Sequence, residues 1–204
     1  MGELLDTIDD LGLKDNTIFI FTSDNGREGI KRSFGFTGPW RGTMFSPYEG
    51  SLRVPFLIRY PGKIPARKVS NEIVHLIDVF PTLANFAGGQ IPQDRILDGV
   101  DQSGFFMGES VKSARESMVI YVGNELFGVK WRNWKMLIKH VEGDGDGYSI
   151  KNMAYPSYYN LLIDPKEEEP EKFYLDDTWV DTPLWKVVED HQASLEKDPG
   201  APGF

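Results

Sequence analysis

Apolar residues along the first 90 positions form two kinds of pattern, helical stripes and short continuous runs. Apolar side chains recur every three or four positions over Glu3–Leu13, which predicts an amphipathic helix with Gly12 as a C-terminal stop. Thr17–Phe21 is a continuous β-prone run, typical of a strand covered on both faces, and Val54–Tyr60 predicts a second strand. Asp78–Ala87 predicts a helix with its first residue as N-cap. This order of elements predicts an α/β fold containing part of a mostly parallel sheet with flanking helices.

The pattern changes near residue 113, where short β-prone runs replace the helix and strand alternation. Arg132-Asn133 separates two of the runs and predicts a tight hairpin, and Thr182-Pro183 begins a final helix. The predicted strands are Met118–Val122, Leu126–Trp131, Trp134–His140 and Tyr158–Ile163. We therefore expect two domains: an α/β part over residues 1–112, and a small antiparallel α+β C-terminal domain over 113–204 with a four-stranded sheet and a helix.

A polar stretch, Ser23-Asp24-Asn25-Gly26, follows the first predicted strand. In α/β sheets ligands gather beyond the carboxyl ends of strands, and calcium and magnesium take carboxylate and amide oxygens. Asp24 and Asn25 are therefore candidate metal ligands, and Gly26 would allow the backbone to bend so that both face a crevice. On the residues alone a simple turn is favoured, because Asp-Asn and Asn-Gly are common turn formers.

Residues 26–52 form a long segment rich in glycine, arginine and aromatic residues with little periodicity. Long loops in compact domains are usually functional or disordered, and the aromatic residues favour an ordered one. Arg41 and Arg53 could hold an anion there. The simpler expectation is that both arginines pair internally with acids such as Glu49.

Charge and composition exclude several function classes. A net charge of -9 argues against a nucleic-acid backbone or an anionic membrane as partner, and 40% apolar residues suffice for a packed core. No apolar stretch is long enough to span a bilayer, and the start has no signal-peptide pattern. The acidic runs Lys166–Pro170 and Glu142–Gly147 are predicted to be solvated loops. Asp144-Gly-Asp146 resembles the start of a calcium loop but lacks its third acid and its closing glutamate, so a surface turn is expected.

Cysteine and histidine usage removes further options. The absence of cysteine excludes disulfides, thiolate zinc sites and a cysteine nucleophile. His75, His140 and His191 have no metal-ligand spacing, and we expect each of them to be structural.

Several blocks in order resemble the sulfatase family of the alkaline-phosphatase-like superfamily. Each block alone is modest, but six in order are specific. They are Leu4-Leu-Asp6 through Thr17; Thr17-Ile-Phe-Ile-Phe-Thr-Ser-Asp-Asn-Gly26; Arg41-Gly42 through Tyr48-Glu-Gly-Ser-Leu-Arg-Val-Pro55; Tyr60-Pro-Gly-Lys-Ile-Pro65 with His75-Leu-Ile-Asp-Val-Phe-Pro-Thr-Leu-Ala84; Asp98-Gly-Val-Asp101; and Tyr159-Asn-Leu-Leu-Ile-Asp-Pro165.

The resemblance implies hydrolysis of sulfate esters, in small molecules or glycans, by a formylglycine nucleophile and a bound calcium (or magnesium) ion. It implies that Asp24 and Asn25 are metal ligands, and Arg41 is the candidate substrate-binding cation that could substitute for the family's sulfate-contacting lysine. Many bacterial members are periplasmic or secreted. Two departures stand out: no cysteine or serine lies in a C/S-x-P-x-R motif, and Met44 occupies the position of a lysine that contacts sulfate in the family.

These departures predict the C-terminal portion of a sulfatase, inactive by itself, with no catalytic residue in this chain and the formylglycine expected upstream. Two alternatives remain open. One is a non-catalytic remnant that acts as a binding or assembly module, as a homo-oligomer through exposed sheet edges. The other is part of a related phosphatase or phosphonate-ester hydrolase.

Overall fold

The computed structural model describes residues 1–29, 35–142, 149–170 and 178–199 and divides the chain into two compact units. The first unit comprises residues 1–23 and 55–115, and the second comprises 24–54 and 116–204. The segment 24–54 thus packs with the C-terminal residues. The predicted domains, 1–112 and 113–204, stay a prediction.

The described residues form five α-helices and six strands, supplemented by single 3₁₀ turns at Lys14–Asn16, Leu76–Asp78 and Thr178–Val180. The helices are α1 (Gly2–Asp10), α2 (Glu49–Leu52), α3 (Val79–Phe86), α4 (Ser103–Met107) and α5 (Asp181–Lys197). The strands are β1 (Phe19–Thr22), β2 (Phe56–Arg59), β3 (Ser117–Val122), β4 (Glu125–Trp131), β5 (Trp134–Glu142) and β6 (Ser149–Asn160).

The sheet of the first unit corrects the sequence prediction. β1 and β2 form a two-stranded antiparallel sheet, with Phe19 opposite Arg59, so the mixed α/β class is confirmed but the mostly parallel sheet is not shown in the described residues. An apolar run predicts that a strand exists, but it does not determine which neighbour the strand pairs with or in which direction. The predicted cover on both faces is also missing, because Phe21 and its partner Leu57 are 43% and 49% exposed.

The first unit has a polar centre around Asp78. The carboxylate accepts hydrogen bonds from the backbone N–H of His75 (3.0 Å) and Val100 (2.9 Å) and pairs with Arg115 at 2.6 Å. Burial alone would raise the pKa of Asp78, but the Arg115 and backbone hydrogen bonds outweigh it and hold the pKa below its usual range. Asp78 is the N-cap of α3, as predicted, yet its side chain completes a capping box with His75 in the preceding turn instead of capping α3.

The second unit contains a four-stranded antiparallel sheet in the order β3-β4-β5-β6. The hairpin predicted at Arg132-Asn133 is present, with Trp131 opposite Trp134. The fourth strand begins at Ser149 and not near Tyr158, because most of its first half is exposed at the sheet edge and lacks an apolar pattern. Asp144-Gly-Asp146 lies outside the described residues.

Each face of this sheet has its own hydrophobic cluster. Among the described residues, every buried apolar side chain other than proline belongs to this unit. One cluster packs against α5 through Leu184 and Val188 and the other packs against the segment 24–54 through Tyr48. No helix in the described ranges is both long and apolar enough to cross a membrane.

Candidate metal and substrate site

Asp24 and Asn25 lie in a turn that begins after β1 ends at Thr22. The backbone N–H of Asn25 donates to Asp24 Oδ1 at 2.9 Å, and Asn25 Nδ2 donates to the Gly26 carbonyl at 2.6 Å. Asp24 is exposed and Asn25 is half-buried. The residues therefore form the turn that the sequence favoured, and the same turn carries two side chains with oxygen atoms of the type that hard cations bind.

The donor chemistry of this turn fits part of a calcium site. Calcium takes six to eight oxygen ligands, so two side chains supply a minority of them. The described residues contain no group of three or more His, Cys, Asp or Glu side chains that could hold a metal. Any ion at Asp24 and Asn25 would need further ligands from water or from other residues.

Close backbone contacts join the turn to the helix α2. The Gly26 N–H donates to the Ser51 carbonyl at 2.8 Å, and a Cβ atom on Gly26 would lie only 1.9 Å from the Gly50 carbonyl oxygen. The Gly50 N–H in turn donates to the Arg41 carbonyl at 2.7 Å. Gly26 does not have a positive φ, so this glycine is required for space and not for the backbone bend that the sequence suggested.

The arginines of this segment have different partners. Arg53 Nε pairs with Glu49 at 2.5 Å, as predicted. Arg41 does not follow the prediction: its guanidinium lies over the Tyr48 ring, 4.1 Å from the centroid, and its Nη1 donates to the Glu167 backbone carbonyl at 2.9 Å. Arg41 is thus held in place by a ring and a carbonyl while its side chain stays exposed.

Met44 lies in the same segment as the other three predicted site residues. Its N–H donates to the Arg27 carbonyl at 2.8 Å, and the residue is half-buried. A thioether carries no positive charge, so Met44 cannot replace the charge of the family lysine.

A buried ion network lies beneath this segment. Glu49 is 1% exposed, and its carboxylate contacts Lys130 Nζ at 2.8 Å and Lys135 Nζ at 3.2 Å. Glu167 is 0% exposed; its Oε1 lies 2.7 Å from Lys135 Nζ, and its Oε2 accepts the Glu49 N–H at 2.6 Å. The acidic run Lys166–Pro170 is therefore not wholly a solvated loop, which corrects the prediction for Glu167.

Burial and pairing shift the pKa values of this network in opposite directions. Burial would raise the pKa of Glu49, but Lys135, Lys130 and Arg53 outweigh it and hold that pKa far below the usual range. Burial raises the pKa of Glu167 despite the neighbouring Lys135 and lowers the pKa of Lys130 despite Glu49. Glu49 is thus the firmly ionised centre of the network.

The three histidines make contacts typical of structural residues. His140 Nδ1 lies 3.0 Å from the Tyr48 hydroxyl, and its Nε2 lies 3.1 Å from Ser157 Oγ. Burial, followed by the charge of Arg41, lowers the pKa of His140. His75 Nδ1 accepts the Ile77 N–H at 3.2 Å, and His191 lies 2.7 Å from the Tyr121 hydroxyl. None of these contacts brings a histidine to Asp24 and Asn25.

The site segment and its surroundings match proteins of known class. A protein-family model described as Sulfatase matches residues 1–89. Human Arylsulfatase D is 33% identical over 196 residues, which cover 83% of this chain. The chain belongs to the sulfatase family. This sulfatase-family chain spans about a third of that relative, since the match covers 33% of the human protein.

Two further comparisons agree with the assignment. The N-acetylgalactosamine-6-O-sulfatase of Bacteroides thetaiotaomicron is 32% identical, over 82% of this chain and 35% of that protein. The crystal structure of PsFucS1 sulfatase from Pseudoalteromonas sp. superposes with a TM-score of 0.91 at 27% identity, over 98% of this chain and 42% of the other. The sulfatase fold of both units is therefore shown, and the family is one of sulfuric-ester hydrolases.

Proposed function

We propose that this chain is the C-terminal portion of a sulfatase-type sulfuric-ester hydrolase in which Asp24 and Asn25 supply part of a divalent-metal site. The observation that best supports this is the turn itself, whose oxygen-bearing side chains are joined through Gly26 to the segment that carries Arg41. Calcium is the expected ion, with magnesium as the alternative, because calcium accepts carboxylate and amide oxygens in loose geometry.

The residues of the site have separate roles. A divalent cation, when bound, stabilises negative charge that develops on the transferring group. Asp24 and Asn25 hold that cation, and Arg41 contributes a guanidinium with five N–H donors, one of which the Glu167 carbonyl takes. Since Met44 brings no charge, Arg41 is the cation we assign to a sulfate oxygen. The substrate is a sulfate ester of a small molecule or of a glycan, by analogy with the arylsulfatase and the N-acetylgalactosamine-6-O-sulfatase.

A calcium titration tests the metal assignment. Isothermal titration of the wild-type protein should show binding that Asp24→Ala abolishes or weakens at least tenfold, because half of the side-chain ligands are lost. Asp94→Ala is the matched control, since it removes an exposed carboxylate elsewhere. Equal binding by wild type and Asp24→Ala, or no binding by wild type, would remove the metal site from this chain.

The 204 residues alone should not turn over a sulfate ester. They contain no cysteine and no serine in a C/S-x-P-x-R motif, so the family's formylglycine has no precursor here. A purified sample should leave an aryl sulfate such as 4-nitrophenyl sulfate unchanged in the presence of calcium. Hydrolysis that copurifies with the protein and depends on Asp24 would refute this expectation.

A second candidate, a non-catalytic assembly module, is favoured by one observation. Phe21 and Leu57 lie opposite each other in the two-stranded sheet and are both about half exposed. Exposed contiguous apolar surface marks interaction sites, and an unpaired sheet edge can pair with another chain. Native mass spectrometry distinguishes this candidate: a dimer that Phe21→Lys converts to a monomer supports it, and a wild-type monomer excludes self-association.

A further inference from the structure

The buried carboxylates of Glu49 and Glu167 contact both the four-stranded sheet and the segment that carries the candidate site. We propose that these two glutamates are positioning residues: they hold Arg41 and the Asp24–Asn25 turn in place by bonding them to the sheet. The catalytic meaning of this inference rests on the proposed function. The claim that the two glutamates hold the segment in place does not rest on that function, because it depends only on contacts within the second unit.

Two lysines on the sheet make the glutamates necessary. Lys130 on β4 and Lys135 on β5 are direct cross-strand partners, and both are buried. Like charges opposite each other destabilise a sheet, and a buried charge without a partner is costly. Glu49 lies within 3.2 Å of both ammonium groups, and Glu167 adds a second carboxylate at Lys135. The two buried lysines therefore stabilise the position of the segment in which the Glu49 carboxylate pairs with both of them.

The helix α2 carries this constraint to the Asp24–Asn25 turn. Glu49 is its first residue, and the next residue, Gly50, donates its N–H to the Arg41 carbonyl. The carbonyl of Ser51 accepts the Gly26 N–H, one residue after Asn25. A displacement of Glu49 would therefore disturb hydrogen bonds to both parts of the candidate site.

Glu167 acts on Arg41 directly. Its carboxylate bonds to Lys135 and to the Glu49 N–H, while its own backbone carbonyl accepts from Arg41 Nη1. Glu167 has a positive φ of 55°, which is uncommon for a residue with a side chain and persists where the surroundings demand it. This conformation allows one residue to bond to the buried network with its side chain and to the exposed guanidinium with its backbone.

Native-state hydrogen exchange tests the inference without requiring bound metal. Glu49→Gln should accelerate exchange at the Gly26 and Gly50 amides at least about tenfold, which corresponds to about 1.4 kcal/mol of local opening free energy. Amides within α5, which packs against the opposite face of the sheet, serve as internal references and should change less. Unchanged exchange at Gly26 and Gly50, or acceleration equal to that of the α5 amides, would overturn the inference.

A control on the opposite face separates positioning from general loss of stability. The Tyr158 hydroxyl donates to Asp181 Oδ1 at 2.5 Å, near the start of α5. Tyr158→Phe should destabilise the α5 side without a selective change at Gly26 or Gly50.

If Glu49→Gln does not fold, Glu167→Gln replaces it. That variant keeps an acceptor for the Glu49 N–H and should make the Arg41 side chain more mobile, seen as a lower ¹⁵N heteronuclear NOE and slower transverse ¹⁵N relaxation at Arg41 Nε. An unchanged Arg41 signal would count against the proposal.

A calcium titration of the same variants connects the inference to the proposed function. If wild type binds calcium, Glu49→Gln should weaken binding while Tyr158→Phe should not. If wild type binds none, the metal assignment fails, and the exchange data still decide whether Glu49 positions the turn. Equal calcium affinity in wild type and Glu49→Gln would show that any effect on exchange does not reach the ligands, and the functional part of the inference would fail.

Discussion

Gly26→Ala should be among the most damaging single-methyl additions in the second unit. The added Cβ would lie 1.9 Å from the Gly50 oxygen, 2.8 Å from the Gly50 carbonyl carbon and 2.9 Å from Ser51 Cα. All three atoms belong to the backbone, so no side-chain rotation relieves the clash. The backbone segments around Gly26 and Gly50 must move apart by about 1 Å or more, which strains the packing and breaks the hydrogen bond from the Gly26 N–H to the Ser51 carbonyl. Overpacking and a lost hydrogen bond together cost about 2–4 kcal/mol.

Denaturant unfolding followed by tryptophan fluorescence measures this loss. All five tryptophans belong to the second unit, so the signal reports the part of the chain in which Gly26 packs. Gly123→Ala is the matched control: its Cβ would meet nothing within 4 Å, but its φ of 59° is left-handed, so it should cost only about 1–2 kcal/mol. Gly26→Ala should lower the unfolding midpoint clearly more than Gly123→Ala. A midpoint equal to or above that of the control would show that the close contact at Gly50 does not exist.

The remaining predictions concern buried polar groups. Asp78→Asn should cost about 3 kcal/mol by calorimetry, because it removes the buried charge that pairs with Arg115. Asp94→Asn, at an exposed pair, should cause no measurable change, and equal effects would refute the role of burial. The pKa values of His75 and His140 are lowered by burial, so the folded state binds protons less tightly than the unfolded state. Above about pH 6.5 both side chains are neutral in the folded and in the unfolded state; below it the unfolded state binds protons more readily, so the melting temperature should fall as the pH decreases below about 6.5. His140→Asn should flatten this dependence in the fluorescence-detected transition, and a variant that keeps the wild-type slope would contradict it.

Local patterns were sufficient for most of the elements. The three strands β3, β4 and β5 lie within two residues of their predicted positions, because alternation and turn residues act over neighbouring positions. The helix α5 begins one residue before Thr182. The first half of β6 was missed because an exposed edge strand needs no apolar pattern. An edge strand also tolerates a proline such as Pro156, in the second half of β6, although proline cannot donate a hydrogen bond to the neighbouring strand.

Local sequence patterns could not predict contacts between residues that lie far apart in the chain. Lys135 is 0% exposed in the middle of β5, and Glu167 is buried inside a run of acids whose neighbours Glu168 and Glu169 are exposed. Each residue alone is typical of a solvated surface. Burial becomes favourable only when a partner more than 30 positions away supplies the opposite charge, and no window of sequence contains both.

Some properties of the Asp24–Asn25 turn follow from the sequence alone, and others depend on the tertiary structure. The order of residues determined that a turn follows a short strand, which side chains it carries and which family it resembles, because these depend on residue type and local backbone preference. Only the tertiary structure decided that β1 pairs antiparallel with β2, that Gly26 is needed for contact with Gly50 and that Glu49 bonds the segment to the sheet. Strand pairing, close packing and charge burial are set by atoms that lie far apart in the chain and meet only in the folded protein.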